Sequence, residues 1–437
     1  LQVSASIGVT LFPQSMEVDA DQLLRQSDQA MYQAKQSGKN RYHVFDAEHD
    51  RSLRGQFEGL KRIKQALEQD EFVLYYQPKV NMRTGQVVGA EALIRWRHPQ
   101  QGLLAPALFL PLIEDDPLAV AVGQWVIRTA LAQMAAWNAT GLHLALSVNV
   151  GARQLQQNGF VAFLNDALAA QPLVDAADLQ IEVLETSALQ DMVRVTEVMA
   201  QCRGLGVHFA LDDFGTGYSS LTYLKRLPVS QLKIDQSFVR DMLDDSDDLS
   251  ILLGVLDLAA SFHRQAIAEG VETVEHGHML LQLGCELAQG YGIARPMSAA
   301  DIPTWAATWQ PDASWAQAKP LPRLSLPLLF AQVEHRAWVL ALHAYLKDKR
   351  AQPPAMDKGK CQLGKWLDAG GLAQHGQPRM VTQLLQVHAQ VHALAQQLCQ
   401  LKVQGDAAAA LLQWPALLQL RQVLLTQLQD LCRACEG

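Results

Sequence analysis

Two pairs of residues in this 437-residue chain have types and spacing suited to chemistry. Asp212 and Asp213 are adjacent and follow a strand-like apolar run, Val207 to Leu211, in the string VHFALDDFGTGYSSL that ends at Leu221. Neighbouring carboxylates repel, so a chain that sets both at the mouth of a hydrophobic strand requires a proton or a cation beside them. A divalent metal meets that need. The plainer alternative is a polar strand-to-helix turn in which Asp213 or a nearby Ser caps the helix. His388 and His392 stand four apart on one helical face, an arrangement common to two ligands of one metal, with a pair of core or rim histidines as the plainer alternative.

The elements that must position the aspartates recur along residues 63 to 310. Strand-like runs occur at Phe72 to Gln77, Val87 to Ile94, His143 to Val150, Leu179 to Leu184, Val207 to Leu211, Gln231 to Ile234, Gln265 to Ala268 and Glu286 to Gly292. Amphipathic helical stretches such as Gly123 to Trp137 and Leu249 to Phe262 lie between most of them. This alternation predicts an α/β fold, a (β/α) barrel, with a doubly wound open sheet as the alternative. Only a turn around Thr84 and Gly85 separates the first two runs, so they pair as a hairpin rather than through a parallel crossover. Polar residues gather at the strand ends: Glu91, Asn149, Glu182 with Glu185 beyond it, Asp212 and Asp213, Lys233, and Glu269. In a barrel the carboxyl ends of parallel strands converge on one face, which would bring these groups into one pocket. An all-oxygen donor set suits Mg²⁺ or Mn²⁺ rather than Zn²⁺, and two such ions suit in-line attack of water on a phosphodiester.

The strings EALIRW, SVNV, IEVLE, DDFGTGYSSL, KIDQSFV and AEGVET, in this order, resemble the signature series of the EAL phosphodiesterases. The resemblance implies a modified TIM barrel with one strand reversed and hydrolysis of cyclic di-GMP to linear pGpG. It further implies that Glu91, Asn149, Glu182 and Asp212 hold one Mg²⁺ or Mn²⁺. Asp212 would bridge to a second ion, where Asp213 and Glu269 contribute. Lys233 matches the lysine that orients the attacking water, so the resemblance gives Lys233, Glu269 and Asp213 catalytic parts. Arg95, Leu93 and Gln77 would touch substrate, with turn capping as the alternative for Gln77. Glu185 and Glu272 would support the site, Glu185 by steadying the loop Phe214 to Ser220. The residues do not single out the proton acceptor. Leu184, Gly151 and Ile293 depart from the usual pattern, and none of them is a metal ligand.

On either side lie two further segments. Residues 1 to 46 read strand, helix, strand, and SASIGVT with LLRQSDQAMYQAKQSGKNRYHVF resembles the carboxy-terminal end of a GGDEF domain, without that family's signature. A helical linker over 47–62 precedes the barrel at 63–310. A Pro-punctuated linker over 311–323 leads to 324–437, which is helical by period: Leu326 to Lys347, Leu363 to Ala369, Pro378 to Val403, and Ala407 to Arg433 with a kink at Pro415. These predict a four-helix bundle. CQLGKW from Cys361, HRAW from His335 and the HAQVH pair resemble the chemoreceptor zinc-binding (CZB) domain, which implies Zn²⁺ held by His335, Cys361, His388 and His392. One thiolate and three imidazoles suit a closed tetrahedral site, structural or sensory rather than hydrolytic. Zinc or oxidant sensing through Cys361 would then bias the phosphodiesterase. Cys432 and Cys435 read as an ordinary pair of tail thiols.

Composition bounds the partners. A net charge of −8 leaves no footprint for duplex nucleic acid. Six scattered cysteines without disulfide spacing suit a reducing cytoplasm. No apolar run approaches the roughly 20 residues of a membrane span. The chain opens mid-pattern at Leu1 without an initiator Met, as a piece of something longer would. The expected state is a cytoplasmic homodimer. The rival functions are a cyclic di-GMP receptor without turnover and a zinc or redox sensor acting through oligomerisation.

Overall fold

Eight of the apolar runs form the strands of a barrel in a computed structural model, which describes residues 4–14, 18–189, 191–217, 221–357, 361–368 and 378–434. They are β1 (Phe72–Asn81), β2 (Val87–His98), β3 (Leu146–Asn149), β4 (Leu179–Leu184), β5 (His208–Phe214), β6 (Gln231–Ile234), β7 (Gln265–Ala268) and β8 (Leu287–Ala288). The order β1-β8-β7-β6-β5-β4-β3-β2 closes through the pairing of β1 with β2. Strands β2 to β8 run parallel to one another, whereas β1 is antiparallel to β8, pairing Leu287 with Asn81. The short Thr84–Gly85 turn forces this reversal, because a parallel neighbour would need a crossover helix. The barrel is closed, so the open-sheet alternative is excluded.

The chain divides into two compact units, Leu1–Val73 with Ile94–Val122, and Leu74–Leu93 with Gly123–Gly437. In the first, strands Ile7–Val9 and Tyr42–Val44 pair in parallel and the helix Ala20–Gln36 packs on them. Gly8 permits that contact, since a Cβ there would lie 1.8 Å from the Ser27 carbonyl oxygen. The end of β2 pairs with Gly102–Leu104, a strand the periodicity did not reveal. Trp96 packs against Phe72 and Phe109, Arg62 covers the indole at 5.0 Å, and Glu71 accepts from Trp96 Nε1 at 2.8 Å.

The second unit holds most of the barrel and the carboxy-terminal helices: α1 (Leu326–Leu346), α2 (Gln362–Asp368), α3 (Pro378–Val403), α4 (Ala407–Leu412) and α5 (Trp414–Ala434). Among the described residues the bundle has three long helices and two short ones, five where the sequence predicts four. The expected last helix breaks at Gln413, where Pro415 cannot donate to the preceding turn, so α5 starts afresh. Cys435 lies outside the described residues. Leu328, Leu342, Leu384, Val391, Leu398, Leu424 and Leu428 make a core of their own. Segment 311–323 is packed: Trp315 is buried, donates from Nε1 to the Val274 carbonyl at 2.9 Å, and covers Gly277. None of the five described cysteines is in a disulfide. Leu118–Ala139 is the one described helix that matches a membrane span by length and composition, a test that core helices also pass, and 39% of its apolar window is buried in protein.

Glycine 290 is fixed by close approach. A Cβ there would lie 2.2 Å from the Val271 nitrogen and 2.3 Å from its oxygen, against the loop that follows Glu269. Gly290→Ala is expected to destabilise the chain by about 1–3 kcal/mol through overpacking, read as a lower denaturant midpoint.

Candidate metal and phosphodiester site

Adjacent strand residues point to opposite faces, so Asp212 and Asp213 should not both reach one pocket. The β5–β6 register resolves this. Leu211 pairs with Leu232 and Phe214 with Ile234, leaving an irregularity between them, and Asp213 takes a left-handed φ of 53°. A bulge of this kind turns consecutive side chains to the same side. Ligand atoms of Asp212, Asp213 and Glu269 consequently lie within 4.8 Å of one another.

Lys233 organises the remaining groups. It is 1% exposed, and its ammonium lies 2.5 Å from Glu182 Oε2, 2.7 Å from Glu269 Oε1, 2.9 Å from Asp212 Oδ1 and 3.5 Å from Glu91 Oε2. Glu91 accepts from Asn149 Nδ2 at 2.6 Å and from Gln289 Nε2 at 2.8 Å. Gln289 also donates to Gln77 Oε1 at 3.0 Å, and Gln77 donates to the Ala294 carbonyl. Gln77 therefore belongs to the barrel wall. A cavity of about 250 Å³ opens over these groups, with Gln77, Leu93, Glu272 and Tyr291 on its lining. Glu185 is buried, and its Oε2 accepts from the Gly215 amide at 3.0 Å. A Cβ on Gly217 would strike Glu185 Oε1 at 2.6 Å, so the carboxylate is wedged against this loop; Tyr218 to Ser220 lie outside the described residues. Arg95 belongs to the first compact unit, where it donates to the Ile94 carbonyl at 2.9 Å.

Charge is unevenly balanced here. Burial would raise Glu182, but the Lys233 and Lys79 ammoniums outweigh it and hold the carboxyl at about 2. Burial raises Asp213 to about 7, reinforced by Asp212 and Asp235. Burial also raises Glu269, to about 8, where repulsion from Asp212, Glu91 and Glu182 adds to it and Lys233 opposes it. Raised carboxyls beside one ammonium mark an excess of negative charge that divalent cations relieve, and the donors are oxygens throughout. The residues fit Mg²⁺ or Mn²⁺.

A second ligand cluster lies in the bundle. Ligand atoms of His335 on α1, Cys361 just before α2, and His388 and His392 on α3 fall within 4.8 Å of one another. His335 donates from Nδ1 to the Ala331 carbonyl at 2.7 Å, which leaves its Nε2 a lone pair; that atom is buried without a hydrogen-bond partner. His392 likewise donates from Nδ1 to the Met356 carbonyl at 3.1 Å. Cys361 Sγ lies 3.4 Å from His388 Nε2, at the edge length of about 3.3–3.8 Å that tetrahedral zinc with bonds of about 2.0–2.3 Å would give. Burial lowers His335, keeping it a neutral donor. The four residues fit Zn²⁺.

Residues 60–296, more than half the chain, match the family model of the EAL domain. The chain belongs to the EAL family. Residues 335–399 match the chemoreceptor zinc-binding domain and residues 1–41 match the diguanylate cyclase GGDEF domain. The bifunctional diguanylate cyclase/cyclic di-GMP phosphodiesterase MucR of Pseudomonas aeruginosa is 40% identical over 69% of this chain and 44% of its own length. The cyclic di-GMP phosphodiesterase PdeR of Escherichia coli is 35% identical over 69% of this chain and 45% of its own. The chain thus spans about half the length of these curated relatives. The solved PaMucR phosphodiesterase in complex with c-di-GMP superposes with a TM-score of 0.54 and 41% identity, covering 56% of this chain and 99% of that one. The EAL barrel is a TIM-like barrel with a mixed sheet, as the hairpin at Thr84 and Gly85 predicts.

Two groups at the EAL site escaped sequence reading. Gln289 falls inside the strand-like run Glu286 to Gly292 without being singled out there, yet it stands just past β8 as Glu269 does past β7. Lys79 lies past Gln77, where the first strand-like run is expected to end, whereas β1 runs on to Asn81. The period of two then puts it on the inward face with Gln77.

Proposed function

We propose that the chain hydrolyses cyclic di-GMP to linear pGpG. The observation that carries this reading is the convergence of four carboxylates on the Lys233 ammonium beside Asn149 and Asp213, in a barrel whose relatives are named for that activity. Divalent ions held by Glu91, Asn149, Glu182 and Asp212, and by Asp212, Asp213 and Glu269, would neutralise the phosphodiester and activate water. Gln289 keeps Glu91 in place by bridging it to Gln77. Lys233 has three N–H donors amid four acceptors, so a cation that drew a carboxylate off it would free one N–H to aim the attacking water at the phosphorus. Arg95 and Leu93 serve the substrate in this reading, Gln77 fixes the wall, and Glu185 with Glu272 supports the loops. The test pairs a calorimetric titration of cyclic di-GMP with chromatography of the same mixture after incubation with Mn²⁺. Linear pGpG supports hydrolysis; binding with intact nucleotide makes the chain a receptor.

The reading includes regulation by the zinc site. His335 is followed by Arg336, whose guanidinium pairs with Glu275 in the first turn of the helix Val274–Gln282. Thr273 caps that helix, and Glu272 before it lines the cavity. One ion pair and one helix start therefore separate a zinc ligand from the cavity rim. Stripping zinc is expected to change turnover on the order of fivefold, the range of ordinary coupling energies. Arg336→Ala should bring the zinc-loaded and zinc-free rates together while the fold survives, since exposed ion pairs contribute only about 0.2–1 kcal/mol. Equal rates with and without zinc in the parent would sink the regulatory part.

A further inference from the structure

Lys79 is a buried lysine that the reading above leaves without a task. It is 5% exposed and stands in the reversed strand β1, one inward position deeper than Gln77. Its three N–H donors meet three acceptors: Ser147 Oγ at 2.7 Å, Gln180 Oε1 at 3.0 Å and Glu182 Oε1 at 3.2 Å. Ser147 and Gln180 are register partners on β3 and β4, and Asn149 and Glu182 are the next inward pair above them. The ammonium is therefore a saturated tripod planted across two strands, directly beneath two of the residues read as metal ligands. Glu182 Oε1 is taken by Lys79, and Oε2 meets Lys233, whose ammonium also meets Asp212 Oδ1 on the cavity lining.

We propose that Lys79 is a positioning residue: it ties down one oxygen of Glu182 so that the carboxylate offers the other, in a fixed orientation, to a divalent cation. The proposal rests on the two-metal reading of the barrel. Outer groups that orient a ligand govern metal affinity, typically by about 10–100-fold. Coulomb's law alone gives the opposite sign, because a nearby ammonium that only repels would weaken cation binding and its removal would tighten it.

The experiment is a Mn²⁺ titration of the zinc-loaded full chain by calorimetry, comparing the parent with Lys79→Met, Lys79→Arg and Ser147→Ala. Glu182 belongs to one ligand set only. Lys79→Met is therefore expected to weaken one of two Mn²⁺ sites by about tenfold or more while the site built on Asp213 and Glu269 changes little. Lys79→Arg should restore part of the loss, and Ser147→Ala should give a smaller loss at the same site. Retained zinc and a cooperative thermal transition report folding. Should Lys79→Met fail to fold, Ser147→Ala decides: weakening of one site upholds the proposal and unchanged affinity overturns it. Tighter or unchanged Mn²⁺ binding in folded Lys79→Met overturns it, as does equal weakening of both sites. A parent that binds two Mn²⁺ but leaves cyclic di-GMP intact defeats the phosphodiesterase reading alone, and the one-site shift still judges Lys79. A parent that binds no Mn²⁺ defeats both.

Discussion

Glu91→Ala is expected to lower cleavage of cyclic di-GMP by about a thousandfold, because a catalytic metal contributes several kcal/mol and each 1.4 kcal/mol is a factor of about ten. Glu91 is buried and burial raises its carboxyl, with Glu182 and Asp212 adding repulsion and Lys233 opposing it. It accepts from both Asn149 and Gln289, so the substitution removes a ligand and also releases the two amides that frame it. Steady-state rates at saturating Mn²⁺, with a thermal melt to establish folding, check this. The fold should persist, because deleting one of four carboxylates around Lys233 relieves repulsion as well as removing attraction. A loss below tenfold would mean that Glu91 is no metal ligand.

Cys361→Ala is the second substitution with a large expected effect. Structural zinc contributes on the order of 10 kcal/mol to domains that hold it. Loss of the thiolate leaves three buried histidines, of which His335 and His392 line a cavity of about 80 Å³ together with Trp338. The purified variant is expected to retain under about a tenth of the parent's zinc, and the bundle to melt earlier than the barrel. Metal content by mass spectrometry with two-wavelength thermal unfolding checks both parts. Full zinc retention would show that Cys361 is not a ligand. Loss of zinc with unchanged melting would make the site sensory without a structural share.

Much of the barrel was legible because its strands are bounded apolar runs with polar residues at their carboxyl ends. Leu179–Leu184, Gln231–Ile234 and Gln265–Ala268 have the limits their patterns predict, and the short Thr84–Gly85 turn gave the reversed strand. The edges were less legible. The run from Glu286 to Gly292 shortens to Leu287–Ala288, since Gly290 and Gly292 press on the Val271 and Glu272 backbone and leave the ladder. The site residues were legible as types and not as geometry. Period two alone sends Asp212 and Asp213 to opposite faces, and only the bulge in β5 reunites them. Lys79 stayed hidden because it lies beyond Gln77, where the first apolar run is expected to end, and Gln289 because a polar residue just past a short apolar pair carries no sign of the face it takes. In the bundle the spacing of His388 and His392 was visible, whereas the hydrogen bonds that aim His335 and His392, from Ala331 and Met356 carbonyls, are tertiary facts.

The rate of pGpG formation by the zinc-loaded chain, followed as Mn²⁺ is raised from zero at saturating cyclic di-GMP, tests the barrel reading most directly. Turnover that starts at zero and saturates with Mn²⁺, giving linear pGpG as product, is the expected result. Nucleotide that binds and is recovered intact at every Mn²⁺ concentration would contradict it and leave the EAL barrel a receptor.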